Sequence, residues 1–290
     1  MPHAILIANP AAGQGRALAV ARGAEAQLQA GGWTSEVLAS RAPRDAGALA
    51  ESCGPAQVVL AVGGDGTIFE VLNGLIRAGR ELNIGTLPAG SGNSLALDVG
   101  LTNGKQAIER VLAKQTRPID VIKATLDGVV HHAINVIGWG AAARITTRSE
   151  GLRWTRGLRY DLATLCEILR PRLIPGATRI DGECDENELL GVAALTQHSG
   201  RGMRVAPSAL LDDGLLDVVT IRRGFRPKLI ALLVRVHSGK HLTSPLVQHR
   251  QAARMEMRLE DESGIVIDGE WLPGRELTLE VLPQRARLWA

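Results

Sequence analysis

The chain has 290 residues, 45% apolar and 22% charged, which suits a folded, soluble protein of one large or two medium domains and excludes a disordered one. Aromatic residues make up only 3% and the formal net charge is +3, too few stacking platforms and too thin a basic excess for a nucleic-acid partner. The three scattered cysteines, Cys53, Cys166 and Cys184, give no disulfide framework and no CxxC pair, so a cytoplasmic protein is expected.

The first residues, Met1 to Ile7, read as a short strand rather than a signal peptide. Strand 4–8 leads into the loop Asn9-Pro10-Ala11-Ala12-Gly13-Gln14-Gly15, and an alanine-rich helix over 16–30 stops at Gly31-Gly32. Strand 33–39, helix 43–52, strand 57–62, helix 67–78, strand 83–87 and short helices at 94–98 and 104–114 follow. Strands that alternate with helices imply a parallel sheet covered on both faces. A first, α/β domain is therefore expected over 1–117.

Near Arg117 the pattern changes. Segments 119–126, 129–137, 189–196, 215–222, 255–260, 264–267 and 276–282 read as strands. Asp-Gly pairs at 127–128, 181–182, 213–214 and 268–269 are hairpin signals. The segment 118–290 is expected to be a mainly antiparallel β domain with helical insertions at 153–170 and 226–237, its final strand packing back on the first domain. No run approaches the ~18 apolar residues of a membrane span, so any membrane contact is expected from the surface.

Two glycine loops carry most of the functional signal. Val58–Val62 runs into Gly63-Gly64-Asp65-Gly66-Thr67, and Ile84–Pro88 runs into Ala89-Gly90-Ser91-Gly92-Asn93-Ser94. Each has the layout of a buried parallel strand that turns on glycines and enters a helix. Glycine lets backbone amides approach a ligand closely, and amides at a helix N-terminus favour phosphate. Asp65 adds a carboxylate for a metal ion or a hydroxyl, a combination that points to phosphoryl transfer.

Structural readings stand beside these. Thr67 and Glu70 form a capping box ahead of the apolar stripe Ile68, Val71, Leu72, Leu75 and Ile76, which accounts for both residues; Asp65 reads equally as a turn residue. The usual nucleotide motifs are missing. Gly100 to Gly104-Lys105-Gln106 is one residue short of a P-loop and lacks its hydroxyl, while Gly13-Gln14-Gly15 and Gly90-Ser91-Gly92 lack the third glycine of a dinucleotide fingerprint.

The ordered set Asn9-Pro10…Gly13-Gln14-Gly15, Gly63-Gly64-Asp65-Gly66-Thr67…Glu70-Val71-Leu72-Asn73-Gly74, Leu87-Pro88-Ala89-Gly90-Ser91-Gly92-Asn93, Pro207-Ser208-Ala209…Asp212-Asp213-Gly214-Leu215-Leu216-Asp217 and Asp268-Gly269-Glu270 spans nearly the whole chain. In this the chain resembles the diacylglycerol kinase catalytic-domain superfamily, which includes bacterial lipid kinases and sphingosine kinases. The resemblance implies an NAD kinase/diacylglycerol kinase-like α/β nucleotide-binding domain followed by a β-rich lipid-binding domain. It implies an ATP- and Mg²⁺-dependent kinase acting on a hydroxyl of a membrane lipid. Asn9, Gly13, Gly15, Gly64, Gly66, Thr67, Gly90, Ser91, Gly92 and Asn93 would surround the nucleotide, and Arg153 and Arg159 would reach its triphosphate. Asp65, then Asp268 and Glu270, would divide the roles of base and metal partner. Asp212, Asp213 and Asp217 match the family's metal-associated acidic segment, with a hairpin at Asp213-Gly214 as the plain alternative. Arg153 and Arg159 read alternatively as a solvated basic helix face.

The wording of Pro88–Ala96 and of Trp139-Gly140-Ala141-Ala142…Ser149-Glu150…Arg153-Trp154…Arg159-Tyr160 resembles most the sphingosine/ceramide kinase branch. That branch carries an acidic residue that engages the sphingoid amine; the matching positions here are Arg144 and Thr146. A neutral lipid alcohol, diacylglycerol or ceramide-like, is therefore the expected acceptor. Asp181-Gly182-Glu183 repeats the tripeptide of 268–270, and order in the chain selects the later copy. His237, His241 and the pair His131-His132 are expected to be structural or exposed. Helix 226–237 is expected to pack on the β domain, with docking at the inner face of a membrane as the alternative. A homodimer is compatible with the sequence. A soluble NAD kinase-type enzyme and a non-catalytic lipid or nucleotide sensor are the competing functions.

Overall fold

The fold was obtained as a computed structural model that describes residues 1–290 apart from Ser91, Arg153, Trp154, Arg156, Gly157, Pro175, Asp181, Gly182, Glu186, Asn187, Arg201 and 261–263, and apart from the side chains at 150, 176, 177 and 183–185. It divides into two compact units, Met1–Val121 with Pro283–Ala290, and Ile122–Leu282.

The first unit is built on parallel strands. β1 (His3–Ala8) pairs with β2 (Thr34–Ala39) on one side and β3 (Val58–Gly63) on the other, and β3 pairs with β4 (Asn83–Pro88). β3 is buried along its whole length, as its unbroken apolar run requires of a central parallel strand. The helices are α1 (Ala17–Ala30), α2 (Asp45–Ser52), α3 (Asp65–Arg77), α4 (Ser94–Asp98) and α5 (Gly104–Leu112). One core joins Leu6, Leu28, Trp33, Leu60, Ile108 and Trp289. Trp289 enters it because the end of β16 (Glu276–Trp289) pairs in parallel with β4, Arg287–Trp289 against Asn83–Gly85. Its ring meets Trp33 edge-on at 5.9 Å, and its Nε1 donates to Asn83.

The second unit contains a six-stranded antiparallel sheet. β10 (Glu188–Ala194) lies between β11 (Leu216–Arg222) and β7 (Val136–Gly140). β11 continues to β12 (Val247–Ala252), and β7 to the hairpin of β14 (Ile265–Ile267) and β15 (Glu270–Leu272). The remaining strands of the unit are β13 (Arg254–Leu259), paired with β8 (Gly176–Ile180) and the first half of β16, β9 (Glu183–Asp185) beside β8, and β6 (Val129–Ala133) beside β5 (Thr116–Leu126). Helices α6 (Ala141–Gly151), α7 (Arg159–Leu169) and α8 (Arg226–Val236) complete it.

Four sequence expectations change. The helix expected over 67–78 starts at Asp65, with Gly64 as its cap, and no capping box closes: Glu70 instead accepts the Ala46 N–H of α2 at 3.1 Å. The single strand expected over 129–137 is two, β6 and β7. Within the insertion expected over 153–170 the α-helix is α7, Arg159–Leu169, and a further helix, α6, precedes it. Asp213-Gly214 is not a two-residue hairpin turn; it lies at the end of the long connection from β10 to its neighbour β11. Asp127-Gly128 does form the expected two-residue hairpin, both residues with positive φ, between Leu126 and Val129.

Candidate active site

The first unit brings its three glycine-bearing segments together. Gly63 ends β3, and its carbonyl accepts the N–H groups of both Ala89 and Gly90 at 2.9 Å, which clamps the second glycine loop onto the first. A Cβ on Gly90 would stand 2.4 Å from the Gly64 Cα, so only glycine allows this approach of two backbones. Gly13, at φ +60°, is held the same way: a Cβ there would fall 2.0 Å from the Ala89 carbonyl oxygen. Asn9 folds its own loop, its carboxamide accepting the Ala11 N–H at 3.0 Å, and its N–H donates to Val62 at 3.1 Å. Gly15, also at positive φ, leaves open space around its Cα.

Asp65 stands at the start of α3. Its Oδ1 accepts the Ser94 N–H at 2.8 Å and its Oδ2 the Ser94 hydroxyl at 3.0 Å. The carboxylate thus ties the first turn of α3 to the first turn of α4. Burial pushes the Asp65 carboxyl above its ordinary pKa; the bonds from Ser94 oppose that shift without cancelling it, and the charge of Asp98 adds to it. Thr67 is buried in the same turn, and Gly66 beside it is half-buried. Asn93 holds the left-handed conformation at φ +53° and closes a reciprocal pair with Gly90, accepting its N–H at 3.1 Å and donating to its carbonyl at 2.9 Å. Gly92 lies half-buried between them, while Ser91 lies outside the described residues. Ser94 had no signal in the sequence beyond its place after the second loop; its role follows from the approach of two loops 29 residues apart.

In the second unit Asp268 has a different setting. Asp268 and Gly269 are the two turn residues of the β14–β15 hairpin, both at positive φ. The Asp268 carboxylate is buried and accepts three backbone N–H groups: Ile134 at 3.0 Å, Asn135 at 3.0 Å and Val136 at 2.9 Å. That bond set explains why 129–137 breaks into two strands: three successive amides turn to the carboxylate instead of to a neighbouring strand. Glu270, two residues on, opens β15 and is half-buried.

The acidic segment does not gather. Asp212 is exposed, and Asp213 is exposed with its carboxylate accepting the Leu215 N–H at 3.1 Å, an Asx-turn. Asp217 faces inward from β11 and accepts from the Ser208 hydroxyl at 2.6 Å and Gln251 at 3.2 Å, with His249 Nε2 at 2.6 Å. Burial raises the Asp217 carboxyl, but these bonds and the nearby imidazole outweigh it and hold the group below its ordinary range. Among the described residues no three His, Cys, Asp or Glu side chains come together as a metal site.

Arg159 opens α7; its guanidinium lies 4.7 Å from the Tyr160 ring centre and donates to the Tyr160 hydroxyl at 3.3 Å. Arg153 lies outside the described residues, as do Asp181 and Gly182 of the duplicate tripeptide. Arg144 and Arg148 of α6 both grip the buried Glu167 of α7, at 2.8 and 3.1 Å. Thr146 turns its hydroxyl back to the Ala142 carbonyl at 3.0 Å.

A mostly parallel α/β unit whose glycine loops meet beside one carboxylate, with a largely antiparallel β unit, places the chain in the class of diacylglycerol kinase/NAD kinase-like folds. Comparison with known proteins narrows it. Residues 3–124 match the diacylglycerol kinase catalytic domain, and residues 135–290 match the YegS C-terminal NAD kinase beta sandwich-like domain. The chain is similar to a diacylglycerol kinase of Mycobacterium tuberculosis, 31% identical, the match covering 81% of this chain and 78% of that one. It is similar also to a probable YegS-like lipid kinase of Shewanella frigidimarina, 28% identical over 82% and 76% of the two chains. A solved diacylglycerol kinase structure from Bacillus anthracis shares the fold with a TM-score of 0.71 at 19% identity, covering 99% of this chain and 96% of that one. The chain belongs to the diacylglycerol kinase catalytic-domain family, whose members are phosphotransferases with an alcohol acceptor.

Proposed function

We propose that this chain is an ATP-dependent lipid kinase that phosphorylates the hydroxyl of a neutral lipid alcohol, diacylglycerol first among them. The observation that supports it best is Asp65: a carboxylate at a helix start, flanked by two touching glycine loops, with its proton affinity raised by burial. A raised pKa makes Asp65 a better proton acceptor than an exposed aspartate. In the step proposed, the lipid hydroxyl oxygen forms a bond to the γ-phosphorus as the bond from that phosphorus to the β–γ bridging oxygen breaks. ADP leaves, and the hydroxyl proton passes to Asp65. The glycine-loop amides position the phosphates.

Mg²⁺ in this reading arrives with the nucleotide. It would need only one or two protein carboxylates beside phosphate oxygens, and Asp65 is the carboxylate that stands at the glycine loops. Asp268 is spent on three backbone amides and acts as a positioning group. Arg144 supports the choice of a neutral acceptor, since the position that meets a cationic amine in the sphingosine branch holds a guanidinium, and the nearby Glu167 is taken by two arginines.

The test is phosphate transfer from radiolabelled ATP, with Mg²⁺, to diacylglycerol, ceramide, sphingosine and monoacylglycerol in mixed micelles, with an NAD tube alongside. Label in a neutral lipid, lost in Asp65→Asn, is the expected result. The substitution is conservative: an amide oxygen still accepts the Ser94 N–H, and the Ser94 hydroxyl can rotate to accept from the new amide. Label in NAD alone, or in no tube, would overturn the reading.

A further inference from the structure

α7 and α8 are neighbours, and both leave an apolar stripe on the outside. Their shared interior is one cluster, Ile168 of α7 with Leu229 and Leu232 of α8. Along the outer flank of α7, Leu162, Leu165 and Leu169 recur at three- and four-residue spacing and are exposed, Leu169 to 52%. On α8, Ile230 and Val234 are four apart and exposed, Val234 to 72%; Phe225, at the helix start, is 73% exposed. The chain has only two phenylalanines, so placing one in solvent needs a reason. These side chains already have a packed core behind them and do not need the outward stripe to fold.

Charge identifies what the stripe faces. Lys228 and Arg235, seven residues apart, lie along one flank of it and Arg226 along the other, all exposed. Arg170 and Arg172 follow α7 and are exposed. The stretch 222–241 has no acid at all. On α7, Glu167 is buried under two arginines and Asp161 has His237 3.9 Å away. An apolar stripe between rows of cations is the pattern of a helix that lies in the headgroup region of an anionic bilayer. The core of a protein interface is instead depleted of lysine, which this surface sets beside its apolar stripe.

We infer that the outer faces of α7 and α8 form one docking surface for a membrane of anionic phospholipid, with Phe225, Val234 and Leu169 entering the acyl boundary and Lys228 and Arg235 meeting phosphates. The inference deepens the lipid kinase reading and rests on it for its purpose, since the substrate must be collected from a bilayer.

Sedimentation with vesicles tests it without any turnover. Vesicles of phosphatidylcholine alone are compared with vesicles of phosphatidylcholine and phosphatidylglycerol in equal parts. Wild-type protein should pellet with the anionic vesicles only, and less as salt rises. Lys228→Gln and Arg235→Gln should each weaken partitioning roughly fivefold. Val234→Glu with Leu169→Glu should abolish it, yet leave phosphorylation of a water-soluble short-chain diacylglycerol unchanged while vesicle-borne substrate is lost. Wild-type protein that stays in the supernatant with both vesicles would overturn the inference. So would unaltered pelleting of Val234→Glu with Leu169→Glu, or a dimer seen by light scattering that this variant dissolves while vesicle binding persists. Pelleting as expected with no lipid phosphorylated would uphold the surface and remove the kinase reading instead.

Discussion

Replacing Asp268 separates architecture from chemistry. Its carboxylate accepts three buried N–H groups, from Ile134, Asn135 and Val136. A hydrogen bond to a charged group contributes about 1.5–3 kcal/mol, and a buried donor left unmade costs about as much. In Asp268→Ala all three donors lose their acceptor, and alanine takes over a left-handed position at φ +47°, which adds roughly 1 kcal/mol. Some relaxation is certain, so about 4 kcal/mol or more is expected, close to the whole stability of many domains. Asp268→Asn keeps one oxygen, enough for Asn135 and Val136, which share Oδ1; its amide then faces the Ile134 donor, for a loss of about 2 kcal/mol. Asparagine also tolerates the left-handed conformation. Urea unfolding followed by tryptophan fluorescence reads both variants, since Trp139 and Trp271 sit in the two strands beside β14. The expected order of midpoints is wild type, Asn, then Ala, with Asn keeping turnover in proportion to its folded fraction. A wild-type midpoint for Asp268→Ala would refute the structural assignment, and a folded but inactive Asn variant would return Asp268 to the chemistry.

Other expectations follow from the same geometry. Gly90→Ala drives a methyl group into the Gly64 backbone and should weaken nucleotide binding more than tenfold by isothermal titration calorimetry, while far-ultraviolet circular dichroism stays near wild type. Asp217 has a depressed pKa when folded, so its contribution is complete above the ordinary carboxylate value of about 3.9 and fades as pH falls below that; Asp217→Asn should flatten the acid limb of a stability–pH profile. Asp65 has the opposite sign: its pKa is raised, so the charged form burdens the fold at neutral pH, and Asp65→Asn should melt no lower than wild type. Glu167→Ala releases Arg144, which is mostly buried, and half-exposed Arg148; a loss of about 2–3 kcal/mol is expected by urea unfolding, most of it from Arg144.

The parallel unit was readable because its signals are local. Strand β3, α3 and the glycine loops follow from an apolar run, a 3.6-residue stripe and glycines in sequence. The capping box misled because Thr67 and Glu70 match a local pattern, whereas the actual partner of Glu70 is an amide on α2. The break after β6 was invisible for the same reason at longer range: the carboxylate that causes it lies 132 residues from Val136. The strand over 276–282 runs on to Trp289 because Pro283 does not end it; the following Gln284 takes a positive φ and donates to Asp120 at 2.7 Å. In the candidate site the glycine loops were legible as loops, and the bonds each aspartate makes were not. Asp65 and Asp268 look alike as aspartates beside glycine, and only their partners distinguish a carboxylate bonded to one serine from a hairpin anchor bonded to three amides.

The discontinuity of the first unit bears on how the protein is made. Residues 283–290 belong to the unit that holds the glycine loops, yet 161 residues of the other unit, 122–282, are synthesised before them. Until Arg287–Trp289 emerge, β4 is an open edge, Asn83 lacks its indole partner and Trp33 has no ring to pack against. On the ribosome the order of completion is therefore inverted: the part begun first is finished last. A nascent chain would acquire α7 and α8 before a finished parallel sheet, and an open β4 edge during that interval is where a chaperone or a neighbouring nascent strand would first compete with β16.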